Sequence, residues 1–527
     1  MFTVADLIVR RLREAGVRAL FGVPGGGSNL DLVAAAGRAG LPFVLTATET
    51  AAAIAASAQA EITGAPGACL TTLGPGAASV VNGVAAAFLD RVPLIVFTDS
   101  LGQEDRTHYE HQRLDQTLLF APVTRSSETL RRGDVDEQLL AGLDLALGRP
   151  PGPVHFDCPG DLLRQPLALP ADTVTGAIGH LGVGMGGWTE PVRKPLVIAG
   201  LGARRPDDAA AIRKLCERRA IPAMVTYKAK GVVPDDHPWF AGVFTNGAIE
   251  RPLVEESDLI LAFGLDPVEL LPRPWPYSTQ VVSSGRWSHA AGHLPFESDD
   301  GGIWEAIRAM ESSIPESIWS NAAIARHRER QRNAVRIPAA GMTADAVVDV
   351  VAARLASWAR VTVDAGAHMF PATTLWPVSA PGDLLISNGL STMGFALPAA
   401  IGAALLDRDR PVVAFTGDGG LLMCAGELLT AARERLRILV VVFNDASLSL
   451  IEIKQQARRL DPAGVALGDV DWAMLASSMG VAGFTAGDRA SLERAVDDAL
   501  AVEGPALVDV RVDRSTYGTM MKAIRGA

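Results

Sequence analysis

Short apolar runs alternate with longer amphipathic stretches along almost the whole chain, and the runs end on Gly, Asp, Asn or Thr. The clearest case spans residues 412–456. An apolar run from Val412 breaks at GDGG (417–420), a helical pattern follows with Leu422, Leu428 and Leu429, and a second apolar run (438–443) closes on Asn444 and Asp445. Strand, glycine turn, helix and strand in that order predict a βαβ unit. Asp418 and Asp445, 27 positions apart, then both fall just past the carboxyl ends of strands, where open parallel sheets bind ligands. Gly417, Gly419 and Gly420 would let a diphosphate approach the backbone, and the following helix would point its N-terminal N–H groups at that anion. A hard cation such as Mg²⁺ would be held there by a few protein oxygens. Taken alone, GDGG also reads as a tight turn and Asp445 as an ordinary loop acid.

The same alternation predicts strands near 19–21, 43–46, 68–72 and 94–98, then near 195–199, 223–226, 259–263 and 280–283, and again at 361–363. Helices between successive strands imply parallel sheets covered on both faces. The expected organisation is α/β with three open domains: 1–166, 194–316 and 342–527. A Pro- and Gly-rich linker (167–193) separates the first two, and an Arg-rich helical connector (317–341) with a solvated face precedes the third.

A chain of 527 residues exceeds one core, and 48% apolar against 20% charged residues lets it bury large surfaces. A net charge of −11 and a pI near 5.4, with no long basic block, argue against a nucleic-acid partner. Cys69, Cys158, Cys216 and Cys424 are scattered in apolar contexts without metal-type pairing, as expected of reduced core thiols in a cytoplasmic protein. The first residues read as an amphipathic helix rather than a signal segment. No run reaches the roughly 18 uncharged apolar residues of a membrane span.

Glu49 is the second candidate for chemistry. It stands where a strand becomes an Ala-rich helix, so its carboxyl is expected to be poorly solvated, with a raised pKa and a tendency to share a proton. The competing reading is a helix N-terminal Glu stabilised by the dipole.

With both motifs in hand, the chain resembles the thiamine diphosphate (ThDP) enzymes of the acetolactate synthase, pyruvate oxidase and benzoylformate decarboxylase group. The residues that carry the resemblance are GDG at 417–419 with Asp445 downstream, FGVPGG at 21–26, LGPG at 73–76, HQRLD at 111–115, GAH at 366–368 and SNGLSTMG at 387–394. By resemblance, Asp418, Asp445 and the carbonyl of Ser447 hold Mg²⁺. Gly417, Gly419 and Gly420 line the cofactor's diphosphate side, Leu448 is a further cofactor contact, and Gly25 and Gly26 belong to the pyrimidine-binding first domain. Ser391 accepts from the cofactor's amine, and Met393 wedges between its rings. Glu49 hydrogen-bonds the pyrimidine nitrogen and so promotes deprotonation of the thiazolium carbon, while Gln112, His111 and His368 are implied substrate-side residues. Asp445 stands where the family usually has Asn, and His111 where it has Phe.

The resemblance implies ThDP between the first and third domains of different subunits, hence a homodimer at least and a tetramer by expectation. It implies decarboxylation of a small-molecule 2-oxo acid by a cofactor that serves as electron sink. Transfer of the acyl-anion equivalent to a second carbonyl, as in acetolactate synthases, is favoured by GPG, HQRLD and GAH. Release of an aldehyde, as in benzoylformate decarboxylases, is the alternative, and PGGGSNLDL makes Ser28 a candidate substrate contact for it. The middle domain binds FAD in some members. GLGARR (200–205) is too slight a signal to favour that here. A ThDP-binding protein without turnover would have little need of Glu49.

Overall fold

In the computed structural model, which describes residues 2–102, 105–167, 191–289 and 292–526, three parallel sheets follow one another along the chain. The first contains β1 (Leu20–Val23), β2 (Phe43–Leu45), β3 (Gly67–Thr71), β4 (Leu94–Ser100), β5 (Ser126–Thr129) and β6 (Pro153–Pro159), in the order β2-β1-β3-β4-β6-β5. The middle sheet contains β7 (Pro195–Ala199), β8 (Ala223–Val225), β9 (Phe240–Val243), β10 (Leu259–Phe263) and β11 (Gln280–Ser284), in the order β11-β10-β7-β8-β9. The third contains β12 (Arg360–Val363), β13 (Leu384–Ile386), β14 (Val412–Gly417), β15 (Ile438–Asn444), β16 (Ala482–Ala486) and β17 (Ala506–Arg511), in the order β13-β12-β14-β15-β17-β16. Three open α/β domains are therefore present, as expected. The first and third repeat one strand order. In both, the direction of sheet growth reverses beside the first strand, between β1 and β3 and between β12 and β14, which opens a crevice at the carboxyl ends.

Central strands such as β15 and β10 are buried along their whole length and read as unbroken apolar runs because helices cover both faces. The Ala-rich stretch forms the helix Glu49–Thr63, capped by the Thr48 side chain, with residues 51–60 all buried. Its small side chains let it lie directly on the helix Ala396–Leu406 of the third domain. A Cβ built on Gly402 would sit 2.2 Å from the Ala55 carbonyl, and Gln59 Nε2 donates to the Gly402 carbonyl at 3.1 Å.

The helix expected after GDGG is two short ones, Asp418–Cys424 and Glu427–Arg433, broken at Ala425 and Gly426. The Arg-rich connector contains one helix, Asn321–Val335, whose buried face docks on the middle domain. There Gln331 brackets the edge strand β9, accepting from Val243 N at 3.0 Å and donating to Val243 O at 2.9 Å, which satisfies an edge that would otherwise be open. Most of the stretch read as a linker, residues 168–190, lies outside the described residues. All four cysteines are free and buried. Among the described residues, no helix is long and apolar enough to cross a membrane.

The three domains meet at Lys228, whose side chain is 1% exposed. Its ammonium contacts Glu61 of the first domain at 2.7 and 2.8 Å, Asp90 of the same domain at 3.3 Å and the Ile386 carbonyl of the third at 3.0 Å. Arg204 adds a second cation to Glu61 at 2.6 Å, and Asp90 accepts from Gly389 N at 2.7 Å. Burial works against the Glu61 charge, but Lys228 and Arg204 hold its pKa below the ordinary value. Asp90, farther from the ammonium, is pushed up by burial.

Replacing Lys228 by Met leaves the buried Asp90 without a cation and Glu61 with Arg204 alone, a loss of about 3–5 kcal/mol. We expect Lys228→Met to lower the thermal midpoint strongly, and Glu61→Gln with Asp90→Asn in the same chain to restore much of it. A triple variant no more stable than the single one would show that the ion network is not what joins the domains.

Candidate active site

The third sheet's crevice is built by the turns after β12, β14 and β15. Asp364, at the end of β12, is fully buried, and its carboxylate accepts from the main-chain N–H groups of Ala365 (2.8 Å), Gly394 (3.1 Å) and Phe395 (3.3 Å) and from the Thr416 hydroxyl (3.0 Å). It therefore ties the 387–394 loop to the turn of β14. Burial pushes its pKa up to about 6. A Cβ on Gly420 would lie 2.6 Å from the Asp364 carboxylate, so glycine is required there by close approach.

Asp418 follows β14 and is buried. It accepts from Gly419 N at 2.7 Å with one oxygen and from Ala446 N at 2.6 Å and Asp445 N at 3.2 Å with the other. The N–H expected to face an anion, that of Gly419, is thus taken by Asp418 itself, and the carboxylate holds the β15 turn in place. Asp445 accepts from Ser447 N at 3.0 Å and the Ser449 hydroxyl at 2.8 Å. Burial raises the pKa of both acids, Asp445 to about 6 with the Asp418 charge contributing. Two half-buried or buried like charges with raised pKa values form an all-oxygen donor set that a hard dication would neutralise, so the residues present fit Mg²⁺. Among the described residues, no group of three or more His, Cys, Asp or Glu side chains is placed to hold a metal ion.

These residues line a cavity of about 560 Å³ together with His368, Ser391, Met393, Gly417, Gly419, Gly420, Ser447 and Leu448. A Cβ on Gly419 would come within 2.7 Å of Leu448 Cδ2 and 3.4 Å of Met393 Cε, so glycine is what lets these two side chains close on the turn. Ser391 sits in the left-handed region, with φ of 53°. His368 is buried and stacks on Phe443 with centroids 4.9 Å apart, and its Nε2 has no partner among the described residues. Burial pushes its pKa down to about 4, so it is a neutral imidazole at neutral pH. An orphaned imidazole nitrogen on this wall fits a phosphate oxygen.

The first domain carries the other half. Glu49 is the first residue of its helix, half-buried rather than enclosed, and a Cβ on Gly76 would lie 3.2 Å from its carboxylate, so the GPG turn packs against it. Gln112, with φ of 58°, and His111 lie on an exposed loop, and Gln112 lines a separate, polar cavity of about 400 Å³ with Leu73, Ser100 and Asp157. Gly25 packs against Thr72 and Asp99, while a Cβ on Gly26 would meet nothing within 4 Å. None of Glu49, Gln112, His111, Gly25 and Gly26 lines the Asp418 cavity within one chain. Ser28 does not line the Asp418 cavity either. It is 1% exposed, and its hydroxyl is held by the Asp99 carboxylate and lies 2.9 Å from the Cys158 carbonyl.

Three acids were not singled out from the sequence. Asp364 is one. Glu427, buried in the third domain, accepts from Ala47 N and Thr48 N at 3.0 Å each and so fixes the turn that precedes Glu49. Glu269 fills the middle sheet's crevice. It accepts from Leu201 N (2.9 Å) in the GLGARR turn, from Asp266 N (3.2 Å) and from the Thr226 hydroxyl, and burial pushes its pKa up to about 8. The place where a nucleotide phosphate would meet that turn is occupied by this side chain. A lone acid in an otherwise apolar stretch is the signal that Asp364 leaves in the sequence.

Comparison with known proteins agrees with this geometry. Residues 2–119 match the model for the thiamine pyrophosphate enzyme N-terminal TPP binding domain, 191–283 its central domain and 364–510 its C-terminal TPP binding domain. An acetolactate synthase of Bacillus subtilis is 28% identical over 97% of this chain and 93% of its own, and a catabolic acetolactate synthase of Raoultella terrigena 29% over 97% and 95%. The protein named probable 2-ketoarginine decarboxylase AruI, from Pseudomonas aeruginosa, is 29% identical over 97% and 94%. With all three domain models matched in order, the chain belongs to the thiamine pyrophosphate enzyme family, in the group that includes the acetolactate synthases.

Proposed function

We propose that this protein is a ThDP- and Mg²⁺-dependent enzyme that decarboxylates a 2-oxo acid and transfers the resulting acyl-anion equivalent to a second carbonyl. The observation that carries this is the facing pair Asp418 and Asp445 on adjacent strand ends, in a cavity whose other walls are His368, Met393 and Leu448. When bound, the cofactor supplies the electron sink for loss of CO₂. The chain's part is to hold and orient. Asp418, Asp445 and the Ser447 carbonyl would hold the cation, the turn at Gly419 and Gly420 would border the diphosphate, and Met393 with Leu448 would contact the rings. Glu49 holds a proton on the pyrimidine nitrogen, at the end of a helix whose entry turn Glu427 secures.

Because Glu49 lies outside the Asp418 cavity of its own chain, we propose a homodimer at least, in which each site joins the third domain of one copy to the first domain of the other. Exposed Leu422, Met423 and Leu429 beside GDGG, and exposed Tyr109, Leu114 and Leu118 near Gln112, supply apolar surface for that contact. FAD is not part of the proposal, since Glu269 takes the anion position of the middle crevice.

A second reading, release of an aldehyde after decarboxylation, is favoured by one observation: the relative named for 2-ketoarginine decarboxylation is as similar as the acetolactate synthases. Supplying purified protein with ThDP, Mg²⁺ and a panel of 2-oxo acids separates the two. Hydroxy-oxo acid products support transfer, and aldehydes alone overturn it.

Asp418→Ala removes a cation ligand and the acceptor for three main-chain N–H groups. We expect it to abolish ThDP retention with no rescue by moderate Mg²⁺, and unchanged uptake by a folded variant would refute the metal assignment. Glu49→Gln is expected to take up cofactor normally but to slow hydrogen–deuterium exchange at the thiazolium carbon, with turnover falling about 10²–10⁴-fold, the span of general acid–base effects. Exchange close to the wild-type rate would reduce Glu49 to a helix-terminal residue. Co-refolding the Glu49→Gln and Asp418→Ala chains should then regenerate activity, because a mixed dimer contains one site with both residues intact. No recovery in a mixture shown to form mixed dimers would place both halves of the site in one chain.

A further inference from the structure

We infer that Arg525 is an oxyanion receptor of the active-site cavity, brought there by the C-terminal helix, and this inference rests on the cofactor reading above. The helix Tyr517–Arg525 runs along the cavity, and both Tyr517 and Arg525 line it. Its far end is fastened to the middle domain. Ala248 N donates to the Ile524 carbonyl at 2.9 Å and Arg273 donates to the Arg525 carbonyl at 2.7 Å. The residue is half-buried, and its guanidinium lies over the Phe370 ring, 5.0 Å from the centroid. Among the described residues, no carboxylate or carbonyl accepts a hydrogen bond from it.

An arginine at a helix C-terminus is favoured by the dipole, and an aromatic face adds a cation–π contribution. Neither satisfies five N–H donors arranged as a fork, which leaves them open to an acceptor that enters the cavity. The fork matches a carboxylate or phosphate.

Charge balance points the same way. If Asp418 and Asp445 offset a dication, the diphosphate's own charge still needs compensation. His368 is neutral, and the remaining acid on the wall, Glu269, offers no positive charge. Arg525 and the exposed Lys454 are the cations among the described lining residues, and Arg525 is the more buried of the two. The shared chemistry is an oxyanion, borne either by the cofactor's diphosphate or by the 2-oxo acid's carboxylate.

The test is Arg525→Met, which keeps much of the stem over Phe370 and removes the fork. Affinities of the Mg²⁺-loaded protein for ThDP, thiamine and inorganic pyrophosphate are measured by titration calorimetry, and KM for the 2-oxo acid at saturating ThDP is measured separately. If the anion is the diphosphate, ThDP and pyrophosphate weaken about tenfold or more, the scale of a charge-assisted hydrogen bond, while thiamine and KM stay put. If it is the substrate carboxylate, ThDP affinity holds and KM rises by a similar factor with kcat little changed. All constants within about twofold of wild type in a variant of unchanged thermal midpoint would overturn the inference, since a charged hydrogen bond is worth more than that. Should Arg525→Met lower the midpoint, Arg525→Gln, with a polar tip at the helix end, is measured in its place. Wild-type protein that took up no ThDP would break the cofactor assignment instead, and loss of pyrophosphate binding in the variant would still support the oxyanion site.

Discussion

The arrangement of the three domains depends on one buried ammonium. Lys228 belongs to the middle domain, yet its partners are a helix residue and a helix-terminal residue of the first domain and a strand-end carbonyl of the third. Asp90 passes the constraint on, because it also holds the N–H groups of Asn388 and Gly389 at the start of the loop that carries Ser391 and Met393. Gly389 and Asn388 reach the cavity wall, so a charge network more than one loop away from the chemistry fixes where that wall stands. The middle domain, with its own crevice filled by Glu269, contributes through this joint and through the stretch from Val268 to Pro272, which lines the same cavity.

A second theme is the use of acids as turn-setters. Asp364, Asp418 and Glu427 each accept from main-chain N–H groups of a different segment, and each does so from a buried position where burial raises the carboxyl pKa. Such groups cost stability if left unpaired, so their hydrogen bonds specify one loop geometry rather than several. For Asp418 the same carboxylate that organises the β15 turn faces the cavity. The loop order and the charge offered to a cation are therefore two consequences of one side chain.

Much of this was legible in the sequence because parallel strands buried on both faces are apolar runs, and the turns that follow them carry Gly and Asp. The strands β7 and β10 match their expected ends, and GDGG, GAH and SNGLSTMG all reach one cavity. The strand β6, by contrast, begins with Pro and holds His155 and Asp157 inside the sheet, where Thr98, Ser127 and Gln116 satisfy them. A polar residue paired only in three dimensions breaks the apolar pattern. Ser28 is the converse case: nothing in its local motif shows that Asp99, far along the chain, draws its hydroxyl inward. Arg525 and Glu427 carry no local pattern at all, since their meaning comes from what another domain places beside them.

The repeated strand order of the first and third domains has a further consequence. Equivalent strands end in equivalent places, so the turn after β3, with Gly74 and Gly76, occupies in one unit the station that GDGG occupies in the other. One station is neutral and packs against an acid; the other is itself the acid. A single architectural plan thus yields two complementary walls by altering a handful of turn residues. Specialisation of this kind leaves the scaffold's folding instructions untouched, which makes the turns, rather than the strands, the economical place for such a chain to acquire a new reaction.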